Sequence, residues 1–331
     1  MTTSFRWMRI LFLLSITALP INGLVDSHAE VPAIRNLDLN HVRLVMEAAP
    51  EFKARLYDRT MDLFAKAGLP LPHPDQPHSP PTAMLKLTLN PTPLGDTCPG
   101  NVLYEPSLAL IEPVIVPRNS EVIHDITWSI GAAVQARAPV SIEELESDLD
   151  GFVHRFITNY KLGNPEWQSE DTRHGRMTSA SPLADQKPVN PVASAIPVAS
   201  IGVSLRGLDI NTLHVSVLAG RASTTLAARA LQQLTDAGLP VSLNPHTNDA
   251  TTLSLELIQR PVEGQCPGKV LYESGLFLVE KVRIERNPQI LIWSDTWIRE
   301  TLQVVSSLSL RQLELDQEAL LKQFIHLFQT R

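Results

Sequence analysis

The run Cys98-Pro99-Gly100-Asn101-Val102-Leu103-Tyr104-Glu105 recurs as Cys266-Pro267-Gly268-Lys269-Val270-Leu271-Tyr272-Glu273. Extended to Asn119 and Asn287, the match holds 13 identities in 22 positions without a gap. It includes Glu112/Glu280 and Arg118/Arg286. Upstream, Ala67-Gly68-Leu69-Pro70 pairs with Ala237-Gly238-Leu239-Pro240. Downstream, Thr127-Trp128 pairs with Thr296-Trp297, and Phe152 to Phe156 with Phe324 to Phe328. The matches keep their order, which reads as a duplication. A chain of 331 residues has room for two domains of about 100–150 residues, each with a core of its own.

Each copy carries the same succession of periodicities. A short strand opens it, over residues 41–46 and 213–218. A helix follows, with Phe52, Leu56, Thr60, Phe64 and Ala67 on one face in the first copy. Its counterpart shows Leu226, Ala230, Leu231, Leu234 and Ala237, with Ser223 in the place of an N-cap. Gly68 and Gly238 suit a left-handed helix end, and Pro70 and Pro240 forbid continuation. Alternation and β-branched content then predict strands over residues 84–89, 102–116 and 122–128, matched by 252–258, 270–284 and 290–297. A closing helix starts at Ser141, where Glu144 completes a capping box, and puts Leu145, Leu149, Phe152 and Phe156 on one face. Leu320, Leu321, Phe324 and Phe328 repeat that face at the end of the chain.

The predicted fold is α+β: two tandem homologous β-α-β-β-β-α modules, each a mainly antiparallel sheet with two helices on one face. The expected boundaries are 36–162 and 204–331. Residues 163–203 between them are rich in Pro, Ser and Ala and read as a flexible linker. Residues 72–81 read as a mobile proline-rich loop. The element order resembles that of small envelope domains such as the N-terminal domain of the translocation protein TolB. The resemblance is one of element order and carries no functional residue across.

The start of the chain reads as an export signal. Arg6 and Arg9 precede an apolar stretch from Ile10 to Val25, and Ser27-His28-Ala29 supplies the small-x-small pattern before cleavage at Glu30. The unbroken apolar run to Pro20 is short for a membrane span, which needs about 20 residues. The expectation is a signal peptide over residues 1–29 and an exported, periplasmic or secreted protein with no transmembrane anchor after cleavage. A net charge of -7 argues against nucleic acid as a partner, because phosphate binding needs a basic face.

Few residues offer chemistry. Cys98 and Cys266 occupy equivalent turns, and neither copy has a second Cys. An inter-module disulfide needs Cα atoms within about 7 Å, and equivalent placement alone does not supply that proximity. Two separate thiols are therefore expected. His73, Asp75 and His78 lie close together in the proline-rich loop, but the second copy has only His246 there, so no metal site and no cofactor is expected. His154 and His326 fall about 200° round their helices from Phe152 and Phe324, towards solvent.

Glu112 and Glu280 share the alternation parity of their apolar neighbours, which places a carboxylate on an apolar face. Either a β-bulge or strand end flips the register, or the carboxylate enters a buried ion pair with a neighbouring strand. Arg118 and Arg286 lie six residues further on, about 20 Å along a strand, too far for a pair within one copy. Tyr104, Tyr272, Trp128 and Trp297 read as core or core-edge aromatics. With no phosphate loop, nucleophile elbow or metal motif, the first reading is a non-catalytic binding or assembly module of the cell envelope. It would engage a protein partner through sheet edges or the cleft between copies. The alternative is a small-molecule carrier binding between the modules, and a third option is a hydrolase with an unfamiliar site.

Overall fold

The computed structural model describes residues 31–72, 82–132, 134–165, 205–243, 250–262 and 266–330. The expected leader, most of the expected linker, His73, Asp75, His78 and His246 lie outside the described residues. The fold is mixed α+β, with a large mixed sheet and a second, small one.

In the first half the elements are α1 (Val31–Ile34), β1 (Val42–Ala48), α2 (Pro50–Lys66), β2 (Ala83–Leu89), β3 (Thr92–Pro93), β4 (Val102–Tyr104), β5 (Ser107–Val116), β6 (Glu121–Gly131), β7 (Gln135–Arg137) and α3 (Ile142–Gly163). The second half contributes β8 (His214–Leu218), α4 (Ser223–Asp236), β9 (Thr252–Pro261), β10 (Lys269–Ile284), β11 (Asn287–Ser306) and α5 (Leu310–Gln329). The sheet runs β1-β2-β5-β10-β9-β8, with β6 on the far edge of β5 and β11 on the far edge of β10. β1·β2 and β8·β9 are parallel, and the other pairs are antiparallel.

In each half, α2 and α3 or α4 and α5 close a core over one sheet face. Leu56, Phe64, Leu149 and Phe156 meet Leu85, Leu87, Leu108 and Leu110 in the first. Leu226, Leu234, Leu321 and Phe324 meet Leu253, Leu255, Leu276 and Leu278 in the second. The Ser141/Glu144 capping box is formed, and Ser309 with Gln312 builds its counterpart on α5. Gly68 and Gly238 take φ of 76° and 79°, the left-handed turn that ends α2 and α4.

Three local expectations are corrected. Ser223 is the first residue of α4 rather than its N-cap; its hydroxyl accepts from the Ala219 N–H and donates to the Gly220 carbonyl, closing the turn before the helix. The strand expected over 102–116 breaks between β4 and β5, because Pro106 has no N–H to give a ladder. In the second half Ser274 stands at that place, pairs with Leu257 and Thr301, and β10 runs through. In the first half the displaced strand β4 joins β3 and β7 in the small sheet. Finally, β5 does not flip at Glu112: Leu108, Leu110, Glu112, Val114 and Val116 are all buried along one parity. The bulge lies on the opposite strand, where Leu110 pairs with Trp128 and Ile111 with Ile126, leaving Thr127 as the extra residue. In β11, Thr296 is extra in the same way between Leu278↔Trp297 and Val279↔Asp295.

Candidate functional site

The two halves meet where β5 and β10 outrun β2 and β9. There Ile115 pairs with Arg283 and Val114 with Ile284. Ile115 and Arg283 hold the same position in the internal match. The hairpin turn that follows each strand reaches residues of the opposite half. Arg118, at the β5–β6 turn, donates from Nε to Glu280 at 2.8 Å and from Nη1 to the Arg206 carbonyl at 2.5 Å. Arg286, at the β10–β11 turn, donates from Nε to Glu112 at 2.5 Å and to the carbonyls of Arg35 and Ala33.

Burial dictates this arrangement. Glu112 and Glu280 are 2% and 5% exposed, and a carboxylate so deep needs a charge and hydrogen bonds around it. The bulges supply one of those bonds: Thr127 and Thr296 donate to Glu112 and Glu280 at 2.6 and 2.5 Å. The receiving loops are also matched. Asn36 and Gly207 both take positive φ, 62° and 77°, beside Arg35 and Arg206. At Gly207 a Cβ would stand 3.0 Å from the Arg118 carbonyl, so the incoming turn needs glycine for close approach as well as for conformation.

Cys98 and Cys266 are bonded across the halves, with Cα atoms 5.7 Å apart. This corrects the expectation of two separate thiols: the fold brings equivalent turns together, which no spacing in the sequence states. The other repeated residues serve the two cores. Trp128 and Trp297 are buried edge-on against Phe156 and Phe324, with centroids 5.2 and 5.8 Å apart. Tyr104 and Tyr272 donate to Asp148 and Asp316 at 2.8 and 2.7 Å, and burial followed by those carboxylates pushes both phenols well up. His154 and His326 are exposed on α3 and α5.

Three features escaped sequence reasoning. Asp125, opposite Glu112 on β6, is 4% exposed, with Oδ2 buried and unpartnered among the described residues. Burial pushes its carboxyl up to about 7, helped by the charge of Asp295 and opposed by the Ile126 N–H. His214 Nδ1 and Ser242 Oγ lie 2.7 Å apart at the start of β8. A half-open cleft in the first half is lined by Glu47, Thr88, Asn90, Thr92, Leu103 and Glu105, with Glu47 bound to Lys86 at 2.9 Å.

Among the described residues no three His, Cys, Asp or Glu side chains gather as a metal site, and no helix is long and apolar enough to cross a membrane. No protein-family model and no curated protein matches this chain.

Proposed function

We propose that the chain is an exported, non-catalytic binding or assembly protein of the cell envelope, made by duplication of one β-α-β-β-β-α module. Its partner is a protein that adds a strand to the outer edge of β11. The internal match and the reciprocal Arg–Glu contacts support the duplication. The inter-half disulfide supports an oxidising compartment, where such bonds persist.

The length of β11 carries the binding reading. It runs from Asn287 to Ser306, whereas β6 stops at Gly131, and among the described residues it is paired with β10 alone. Arg299, Glu300, Thr301 and Gln303 are exposed along its last turns of pleat. Charges on an edge guard against indiscriminate pairing, so a guest strand would need matching side chains as well as free backbone groups.

The test is in-cell cross-linking of the tagged full-length precursor, with Leu302→Pro and Gln303→Pro beside the parent. Adjacent N–H groups of a strand point to opposite edges, so one of these prolines blocks the outer edge and the other breaks the β10 ladder. The expected result is a reproducible partner lost in the variant whose melting temperature is the better preserved. Equal recovery by both variants would remove β11 as the docking edge.

A further inference from the structure

The contacts described between the halves gather at two places. One is the seam at the ends of β5 and β10, with its two Arg–Glu pairs. The other is the Cys98–Cys266 bond, which lies before the opposite end of β10. Among the described residues, the Asn101 side-chain amide borders that bond. Asn101, 5% exposed, donates from Nδ2 to the Cys98 sulfur at 3.1 Å, to the Pro99 carbonyl at 3.4 Å and to the Cys266 sulfur at 3.8 Å. Its Oδ1 is buried and has no partner among the described residues.

A buried acceptor without a donor costs stability, and a disulfide has no proton to offer it. Two thiols would. The oxidised site therefore leaves Oδ1 unsatisfied, and a thiol could satisfy it once the amide turns Oδ1 towards the sulfur. We propose that Cys98–Cys266 is a reversible redox latch, that Asn101 sets its balance, and that the seam is the hinge left when the latch opens. In the reaction the S–S bond takes two electrons and two protons from a dithiol, which closes its own disulfide. Cys98 and Cys266 are 2% and 5% exposed, so the reductant enters through a local opening of the two turns. The inference is independent of the β11 edge.

The experiment equilibrates the full-length chain with a dithiothreitol redox couple, counts thiols by alkylation, and follows amide hydrogen exchange on the same samples. In the parent chain, reduction should be reversible. Exchange should rise about tenfold or more over residues 102–104 and 269–275, while residues 114–116 and 283–284 keep their protection. Asn101→Leu should shift the equilibrium about tenfold towards the disulfide, ~30 mV, because it removes the acceptor for the thiol. Unchanged exchange at 102–104 and 269–275 would make the bond a passive staple. Loss of protection at the seam would show that nothing holds the halves once the latch opens. An unshifted equilibrium in Asn101→Leu would deny the residue its role, and the parent-chain exchange tests the hinge even if that variant misfolds.

Discussion

Arg118 reaches out of its own half to bind Glu280 at 2.8 Å, and Arg286 returns the contact to Glu112 at 2.5 Å. Buried ion pairs add little net stability over well-packed apolar side chains, but removing one partner strands the other charge. Arg118→Ala should therefore cost about 3–5 kcal/mol in urea unfolding, since Glu280 is 5% exposed and left facing only Thr296 and its remaining neighbours. Arg118→Met combined with Glu280→Leu should recover more than half of that loss. A double variant as unstable as the single one would mean that the turn, and not the charge, holds the seam.

The two halves should differ in independence. Ile284 is fully buried in the core of the first half, with Ile290 and Ile292 packed against it, so the first half borrows the second half's hairpin. The second core takes no residue from the first half among those described. Residues 205–330 expressed alone should unfold cooperatively, and residues 31–165 alone should not until the other piece is added. Circular dichroism of the separate and mixed pieces decides it, and a cooperative transition from 31–165 alone would contradict the borrowed core.

The disulfide spans 168 residues of sequence. On loop-entropy grounds its closure is worth about 5 kcal/mol, an upper value where the unfolded chain keeps residual structure. Cys98→Ser with Cys266→Ser should lower the urea midpoint correspondingly, with the β5·β10 pairing still present by hydrogen exchange. A loss below about 1 kcal/mol would mean that the two turns stay together in the unfolded ensemble.

Much of the architecture is written in periodicity, and the joint between the halves is not. Leu108, Leu110, Glu112 and Val114 show by parity alone that a carboxylate enters the core, and the structure buries all four. The identity of its partner is a tertiary fact, because Arg286 is remote in sequence and reaches Glu112 only once the two halves meet. The same holds for Cys98 and Cys266, where equivalence is visible and distance is not. Thr127 and Thr296 repeat in the sequence, yet a bulge erases the alternation that would mark their direction. A further legible signal is Arg35-Asn36-Leu37-Asp38, matched by Arg206-Gly207-Leu208-Asp209. It lies upstream of the other internal matches and contains the carbonyls that receive Arg286 and Arg118.

Asp125 gives the seam a pH dependence whose sign follows from its surroundings. Burial, with the charge of Asp295 added, raises the folded carboxyl to about 7, while an unfolded Asp titrates near ~4. The folded state therefore holds the proton more tightly. The resulting stability is fully present below pH ~4 and is lost as pH rises through about 7, a change of about 4 kcal/mol for a group only 4% exposed. Glu144, Glu146 and Glu318 are lowered by hydrogen bonds from the Ser141 N–H, Arg55 and Lys322 respectively, so their contributions are lost as pH falls. Stability should thus decline between pH 5 and pH 8 in the parent chain, as read by urea unfolding across that range. Asp125→Asn, which carries no charge to bury, should flatten the decline and be the more stable of the two at pH 8. A parent chain whose stability holds level from pH 5 to pH 8 would mean that Asp125 finds a compensating partner once it ionises.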